Sequence, residues 1–244
     1  MTDTADLARR LALAHRNGLH DVDPAPFASV TRDDAFAIQR AVQAELGVAT
    51  GLIKTAIAPD GLGAAAPIYA SGFGHNGFQL PSTNVIGLEL EVGLVLGSDL
   101  SVEAATADDV AAIDAIDHYF VGIEICGTRY ADRAAAGYNG GLADNMAALG
   151  YVLDPTPRVL GAEVENFDVE LNFAGQRIYF APTKHSFGNV LASYIAYARN
   201  QQPHLPLKAG TVITTGSLCG LVPISGTGAV LGKLGNHTVS FDIV

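Results

Sequence analysis

The sequence predicts an α+β fold whose core is a mixed or antiparallel β-sandwich. Apolar residues make up 49% of the 244 residues and charged residues only 16%, which indicates a globular chain with a large core. The 27 glycines gather between apolar runs, as expected for a β-rich body with many tight turns. Helical periodicity occurs near the start and in the last third, so helices and strands do not alternate regularly. We expect a helical N-terminal subregion, residues 1–51, packed on a β-rich core, residues 52–244, in one compact domain.

The N-terminal subregion is predicted to hold two helices. The first shows apolar residues at helical spacing from Leu7 and stops at Gly18. The second begins at Thr31, which forms a capping-box pattern with Asp34 in the place of the usual Glu, and Gly47 supplies its C-cap.

The remaining segments are predicted from apolar runs and from the turn residues between them. We expect a short apolar strand around Lys54, and a helix that begins at Thr106. Two stretches rich in Gly and Ala, residues 59–81 and 129–145, are predicted to be loops. The other expected elements are strands at 85–96, 119–126, 211–215, 218–224, 229–234 and 237–244, a hairpin over 167–180, and a helix over 189–200.

Charge and cysteine content exclude several classes of protein. The net charge of −11 argues against a protein that binds nucleic-acid backbones. Residues 1–17 contain no long apolar run, so we expect neither a signal peptide nor a membrane span, and a cytoplasmic location is the default. Cys126 and Cys219 are too few for a disulfide framework and lack zinc-site spacing, so we interpret them as buried structural thiols.

The most informative segment is the apolar run that carries Glu89 and Glu91. Residues two apart on a strand face the same side, so both carboxylates share one face of a predicted strand. Burying two like charges there is costly unless a positive group lies between them. Glu124 adds a third carboxylate on a separate apolar strand, and an all-oxygen set suits Mg²⁺, Mn²⁺ or Ca²⁺. The alternative is that these strands are half exposed and the carboxylates are solvated.

Lys54 is the one cation within its apolar run. It is either a lysine that reaches the surface from an edge strand, a general base, or an anchor for a substrate carboxylate. Desolvation and a nearby metal ion would both lower its pKa and favour proton transfer. The segment Gly210–Gly220 could offer backbone N–H groups to an anion, although a plain β-turn is the better interpretation of these residues. Ser186 and Ser217 lack a nucleophile-elbow context, which argues against a serine hydrolase.

The order of several short blocks resembles the 2-keto-4-pentenoate hydratase / 4-oxalocrotonate decarboxylase family of the fumarylacetoacetate hydrolase superfamily. The match runs from roughly Asp33 to the C-terminus, and the order and spacing of the blocks make it fairly specific. The blocks are Gly51-Leu52-Ile53-Lys54, Glu89-Leu90-Glu91-Val92 through Leu100, Gly122-Ile123-Glu124-Ile125, Ala143-Asp144-Asn145, Gly150-Tyr151-Val152-Leu153 and Thr215-Gly216-Ser217-Leu218.

The resemblance implies a fold and a site. It implies a mixed β-sandwich or roll of the fumarylacetoacetate hydrolase type, an Mg²⁺ or Mn²⁺ ion held by Glu89, Glu91 and Glu124, and an active-site lysine at Lys54. It also implies a homo-oligomer, with a hetero-complex with a related subunit as the alternative, and small 2-oxo or 2-hydroxydienoic acids from aromatic or steroid catabolism as substrates. The remaining candidates on or near the matched blocks are Asp144 as a catalytic residue and Tyr69, Phe73, Asn145, Gly216 and Ser217 as substrate-binding residues.

The chain departs from the family pattern at three places. Met146-Ala147-Ala148 follows the Asp-Asn pair where the family usually has a small hydroxyl residue. The lysine block reads Leu-Ile-Lys-Thr instead of Gly-Tyr-Lys, and the segment Ser71–Asn76 lacks the acidic residue often found near Tyr69. His75 in that segment is a candidate replacement for the missing acid–base group.

The leading functional hypothesis is a metal-dependent hydratase that adds water to a small 2-hydroxydienoate. Decarboxylation of a 2-oxo diacid is the close alternative. A C–C bond hydrolase would need a His–Glu pair, and the N-terminal His15, His20 and Glu45 form no recognisable motif for one. A catalytically silent subunit is the alternative from a different class.

Overall fold

The computed structural model describes residues 3–81, 84–158, 164 and 166–244, and these residues form two packed sheets with helices around them. The larger sheet has the order β2-β1-β10-β5-β6-β7-β3, with β11 beside β5, and the smaller one has the order β4-β13-β12-β8-β9. The strands are β1 (Thr50–Ile57), β2 (Gly63–Tyr69), β3 (Phe73–His75), β4 (Gln79–Leu80), β5 (Gly87–Leu96), β6 (Ile116–Cys126), β7 (Ala148–Arg158), β8 (Asp168–Phe173), β9 (Gln176–Pro182), β10 (Val212–Ser217), β11 (Val222–Pro223), β12 (Gly228–Leu234) and β13 (His237–Ile243).

The predicted α+β class and the mixed sheet are confirmed. Antiparallel pairs dominate, and parallel pairs join β1 to β10, β3 to β7 and β4 to β13. The helices are α1 (Thr4–Asn17), α2 (Arg32–Leu46), α3 (Val102–Ala107), α4 (Asp109–Asp114), α5 (Gly137–Ala143) and α6 (Ala192–Ala198). In the described part of the chain, no helix combines the length and apolarity needed to cross a membrane.

The two N-terminal helices end as the sequence predicts. Gly18 and Gly47 adopt the left-handed conformation at the C-caps, and Thr31 and Asp34 form a reciprocal capping box. The two helices pack against each other, and α2 also packs against α5. The division into a subregion 1–51 and a core 52–244 stays a prediction.

The alternation of side chains along β5 separates the sandwich core from the acidic face. Leu88, Leu90 and Val92 point to the core between the two sheets, where they pack with apolar residues of β8, β12 and β13. Glu89 and Glu91 therefore point to the opposite face of the larger sheet. Their position away from the sandwich core leaves them free to build a site.

Three local predictions are wrong. Residues 59–81 are not one surface loop, because they contain β2, which is buried along its whole length, and also β3 and β4. Residues 129–145 contain α5 in place of a plain loop. The helix expected from Thr106 is two short helices, capped by Ser101 and Asp108, and Thr106 lies inside the first. Glycine is unfavourable in both helices and strands, and alanine is depleted in strands, so tertiary packing decides segments such as β2 and α5.

Candidate active site

Strand register brings the predicted lysine to two of the predicted carboxylates. Glu89 lies opposite Glu124 in the β5–β6 ladder, and Lys54 lies opposite Thr214 in the β1–β10 ladder. Lys54 Nζ donates to Glu124 Oε1 at 2.6 Å and lies 4.0 Å from Glu89 Oε2. The positive group that the apolar strand requires is thus supplied, at least in part, by Lys54.

Glu91 lies on the same face but has a different partner. Its side chain is fully buried, and Oε2 accepts a hydrogen bond from the Thr214 hydroxyl. A register shift in β10 between Thr214 and Ser217 allows both residues to pair with the neighbouring strand β5. The same Thr214 hydroxyl lies 3.3 Å from the Tyr151 hydroxyl.

The ionisable groups of the cluster shift one another's pKa values. Burial raises the pKa of Glu91, and the nearby Glu124 and Glu89 raise it further. Burial also raises the pKa of Glu124, although Lys54 opposes that shift. For Lys54, burial lowers the pKa, but Glu124 and the other acidic groups outweigh it, so its pKa is raised above the ordinary value. Burial acts on the Lys54 pKa in the predicted direction, but the neighbouring carboxylates hold the ammonium form and reverse the net shift.

A cavity of about 320 Å³ opens beside this cluster. Lys54 and Glu89 line it on the sheet side, and Gly216 and Ser217 line it from β10. The Ser217 hydroxyl donates to the carbonyl of Gly220 and accepts from the Cys219 N–H, which fixes the turn after β10. Four of the predicted site residues therefore share one cavity wall. Further lining comes from Arg133, Tyr138, Met146, Ser186 and Phe187.

A strained turn meets the lysine from the side of α5. Asn145, Met146 and Ala147 have φ values of 50, 53 and 64°, a left-handed conformation that costs about 1–2 kcal/mol per non-glycine residue. The Met146 carbonyl lies 3.4 Å from Lys54 Nζ as an acceptor. The segment that departs from the family pattern thus forms the turn that brings a backbone oxygen to Lys54.

Asp144 is not on the cavity wall. Its carboxylate is buried and accepts hydrogen bonds from the Arg129 guanidinium, from the Arg129 backbone N–H at 3.1 Å and from the Thr128 hydroxyl at 2.9 Å. Arg129 also donates to the carbonyls of Ala148 and Asp144. These contacts place Asp144 in a buried ion pair behind the strained turn, which gives the predicted catalytic role no geometric support.

The other predicted site residues also lie away from the cavity wall. Tyr69 and Asn145 are buried next to this ion pair, with the Tyr69 ring 5.5 Å from that of His15. Phe73 and His75 lie on β3, with their rings 5.8 Å apart, and His75 is exposed at the far edge of the larger sheet. Neither lines the cavity, so the structure does not bring His75 to the site where an acid–base group would be needed.

Sequence reasoning missed three residues of this region. Cys126, interpreted as a structural thiol, lies at 3.6 Å from Glu124 Oε1. Thr214 and Arg133 were not singled out at all, although Thr214 binds Glu91 and Arg133 lines the cavity. Cys126 follows Glu124 by two residues on a strand, so alternation alone indicates that the two side chains share a face.

The residues fit a divalent metal ion. Glu91 Oε1 and Glu124 Oε2 are buried, and neither accepts a hydrogen bond from a residue that the structure describes. A buried carboxylate oxygen without a donor is costly, and a cation is the partner that an oxygen-rich set recruits. Ligand atoms of Glu89, Glu124 and Cys126 lie within 4.8 Å of one another. The predicted set of Glu89, Glu91 and Glu124 stays a prediction.

Solved structures of other proteins share this fold. The chain has the fold of the fumarylacetoacetate hydrolase superfamily, with N-terminal helices beside the mixed sheets. A 4-oxalocrotonate decarboxylase from Pseudomonas putida G7, complexed with calcium and acetate, superposes with a TM-score of 0.80 at 18% identity, covering 99% of this chain and 97% of that chain. A 2-hydroxyhepta-2,4-diene-1,7-dioate isomerase from Mycobacterium marinum gives a TM-score of 0.57 at 16% identity over 81% of this chain and 75% of that chain.

The sequence comparison points in the same direction. A 2-keto-4-pentenoate hydratase from Paraburkholderia xenovorans (strain LB400) is 27% identical, covering 81% of this chain and 78% of the relative. The 2-keto-4-pentenoate hydratase 3 of Pseudomonas putida matches equally well. No family model matches the chain. The resemblance predicted from the ordered sequence blocks is confirmed by these relatives.

Proposed function

We propose that the protein is a metal-dependent lyase, a hydratase that adds water to a small 2-hydroxydienoate to give a 4-hydroxy-2-oxo acid. The observation that carries the proposal is the buried cluster in which Lys54 binds Glu124 beside Glu89 at a cavity wall. The relatives named as hydratases support the reaction class. A cavity of about 320 Å³ suits a small acid, because ligand sites of this kind begin at about 300 Å³.

The metal centre proposed is an Mg²⁺ or Mn²⁺ ion at the acidic face of β5 and β6. Glu89, Glu124 and Glu91 are the residues that would hold it, and their two unpartnered oxygens support this. When bound, such an ion supplies Lewis acidity toward the carboxylate and 2-oxygen of a 2-oxo acid.

Lys54 is proposed as the residue that moves a proton. Its ammonium form is stabilised by Glu124, so in the resting site it is a proton donor. As the dienol ketonises, Lys54 would give a proton to carbon 5, and the proton lost from the 2-hydroxyl would restore the ammonium through solvent, which leaves a double bond conjugated with the 2-oxo group. Water then adds its oxygen to carbon 4 and a proton to carbon 3, which balances the hydration. Met146 O, on the strained turn, holds the ammonium toward the cavity.

Decarboxylation of a 2-oxo diacid is the second candidate, and one residue favours it. Arg133 lines the cavity, and among the described residues it forms no ion pair. A guanidinium at the cavity rim suits the second carboxylate of a diacid, which a monocarboxylic dienoate lacks. The carbon–carbon hydrolase is not supported, because Glu45 pairs with Arg16 and His15 packs against Tyr69, away from the cavity.

The test is an ultraviolet assay of a panel of mono- and dicarboxylic dienols with the chelated protein, before and after addition of Mg²⁺ or Mn²⁺. Loss of absorbance without CO₂ indicates hydration, and loss with CO₂ indicates decarboxylation. Lys54→Met is expected to reduce kcat by about 10²–10⁴-fold, the range of general acid–base catalysis. Lys208→Met, which removes an exposed lysine paired with Asp99, is the matched control.

Two results would contradict the proposal. Full turnover after chelation would exclude the metal centre, and full turnover by Lys54→Met would exclude the proton-transfer role. Absence of turnover across the panel, with retained binding of a 2-oxo acid, would favour the silent subunit. A homo-oligomer is part of the proposal, with a complex with a related subunit as its alternative, and light scattering of the purified protein measures how many copies of this chain associate.

A further inference from the structure

The thiol of Cys126 belongs to the acidic cluster. Cys126 is 3% exposed and is a free cysteine at the end of β6. It lies opposite Gly87 in the β5–β6 ladder, two positions along from the Glu89–Glu124 pair, so all three donor side chains share one face. Sγ lies 3.6 Å from Glu124 Oε1, and it donates to that oxygen.

The geometry of these donors is that of a small coordination shell. One ligand atom each from Glu89, Glu124 and Cys126 lies within 4.8 Å of the other two. In a tetrahedral zinc site, bonds of about 2.3 Å to sulfur and 2.0–2.2 Å to carboxylate oxygen place two ligand atoms about 3.3–3.7 Å apart, so the donors would have to approach one another by at most about 1.5 Å. Glu91 is not in this group, and one of its oxygens accepts a hydrogen bond from Thr214.

A separate observation indicates that a partner belongs here. Glu124 is fully buried, and its Oε2 receives no hydrogen bond from the described residues, whereas Oε1 is bound by Lys54. The oxygen that lacks a partner can therefore take a cation while the Lys54 ion pair stays intact. This second, unsatisfied oxygen sets the cluster apart from a cysteine that only fills space.

We propose that Cys126 is a metal ligand, and that the centre binds a borderline divalent ion such as Zn²⁺ or Co²⁺ through Glu89, Glu124 and Cys126. A thiolate is a soft donor that favours these ions, whereas Mg²⁺ prefers oxygen ligands only. On binding, the metal–sulfur bond forms as the thiol proton leaves to solvent. The inference concerns the same centre as the proposed function but depends only on binding of the ion.

The experiment is a titration of the whole, metal-free protein with Co²⁺ alone, followed by absorbance. Coordination by a thiolate produces a sulfur-to-cobalt charge-transfer band in the near ultraviolet, which a carboxylate shell does not. We expect this band in the wild-type protein at one ion per chain, its loss in Cys126→Ser, and its retention in Cys219→Ser. Cys219 is the matched control because it is the second free thiol and lies outside the group of potential ligands.

Competition measurements give the magnitude. Zn²⁺ affinity is expected to fall at least tenfold in Cys126→Ser, since loss of even an outer-shell partner of a metal site costs about 10–100-fold. Mg²⁺ affinity is expected to be unchanged, because Mg²⁺ would use the carboxylates. Glu89→Gln, at a partly exposed position, is expected to weaken both ions, and thermal unfolding of each metal-free variant checks that it is folded.

No thiolate band in the wild-type protein, or a band that Cys219→Ser alone removes, would overturn the inference. Equal Zn²⁺ affinity of wild type and Cys126→Ser would do the same. These outcomes are distinct from failure of the proposed function. Turnover with Mg²⁺ but no cobalt–thiolate band would support the lyase function and exclude Cys126 as a metal ligand. A cobalt–thiolate band without turnover would support Cys126 as a ligand and contradict the lyase function.

Discussion

The buried ion pair between Asp144 and Arg129 allows a sharp test of what Asp144 does. Both side chains are 1% exposed, and the Asp144 carboxylate accepts from three donors of Arg129 and Thr128. Asp144→Asn keeps the size of the side chain but removes its charge. The Arg129 guanidinium then stays buried without a counter-ion. We therefore expect Asp144→Asn to lower the free energy of unfolding, and not only kcat.

The expected size follows from that burial. Removing one partner of a buried pair costs about 3–5 kcal/mol of the free energy of unfolding. For a chain of this length, each kcal/mol lowers Tm by about 2–4 °C, so the melting temperature should fall by roughly 6–20 °C. The assay is thermal unfolding followed by circular dichroism, together with kcat well below the new Tm. Removing both charges, in Asp144→Asn with Arg129→Met, should recover part of the loss.

Asp99→Asn is the matched control, because Asp99 pairs with Lys208 while both side chains are more than half exposed. Exposed pairs contribute little, so its Tm should stay close to that of the wild type. A Tm for Asp144→Asn equal to that of the control, combined with a large fall in kcat at constant KM, would refute the structural role. Asp144 would then be a catalytic residue, as first predicted.

Two further predictions concern stability. Gly63→Ala should strongly lower Tm, because a Cβ at Gly63 would lie 2.1 Å from the backbone of Ala196 in α6. Overpacking of this kind costs about 1–3 kcal/mol or more of the free energy of unfolding. Gly141→Ala is the control, since nothing lies within 4 Å of the added atom. Burial, with Arg40 adding to it, lowers the pKa of His204 to about 4, so the unfolded chain binds more protons than the folded one below its pKa of about 6.5. The contribution of His204 to the free energy of unfolding is therefore present above pH ~6.5 and is lost as pH falls toward 4. The drop in Tm between about pH 7 and pH 5 should be smaller in His204→Gln than in the wild-type protein. An equal drop in both proteins would contradict this prediction.

Regular local patterns were predicted well from the sequence. The capping box at Thr31 and Asp34 and the glycine C-caps depend on contacts within a few residues, so the local sequence contains the information needed. The same holds for the hairpin of β8 and β9 and for the acidic face of β5, since alternation fixes which side chains share a face.

Segments whose structure depends on tertiary contacts were not predicted. The strand β2 reads Gly-Ala-Ala-Ala-Pro-Ile-Tyr, which has weak strand preference, and it forms because β1 pairs along its length. Helix α5 contains three glycines and depends on packing against α2. In the left-handed turn, Asn145 is a residue type that tolerates positive φ, but neither Met146 nor Ala147 favours it, so the sequence does not predict three such residues in a row.

In the candidate site, too, the local features could be predicted and the tertiary contacts could not. Alternation could place Glu89, Glu91 and Glu124 on apolar strands, but only strand order and register decide which groups touch. The sequence could not show that β10 lies between β1 and β5. Nor could it show that, beside a bulge in β10, Thr214 would donate to Glu91 while Lys54 donates to Glu124. The sign of the net Lys54 pKa shift depends on those distances, because burial lowers the pKa and the neighbouring carboxylates raise it.

The charge balance of the cluster links these findings to the metal centre. Three carboxylates against one ammonium leave a formal charge of −2 on a face where Glu91 and Glu124 are fully buried. Burial and the like charges of Glu124 and Glu89 raise the pKa of Glu91, as expected for a negative cluster that Lys54 alone does not balance. One divalent ion removes the formal excess, and a monovalent ion does not. Lys54 neutralises Glu124, so the buried oxygens that it does not reach, Glu91 Oε1 and Glu124 Oε2, are the ones that a divalent ion would satisfy in the proposed metal centre.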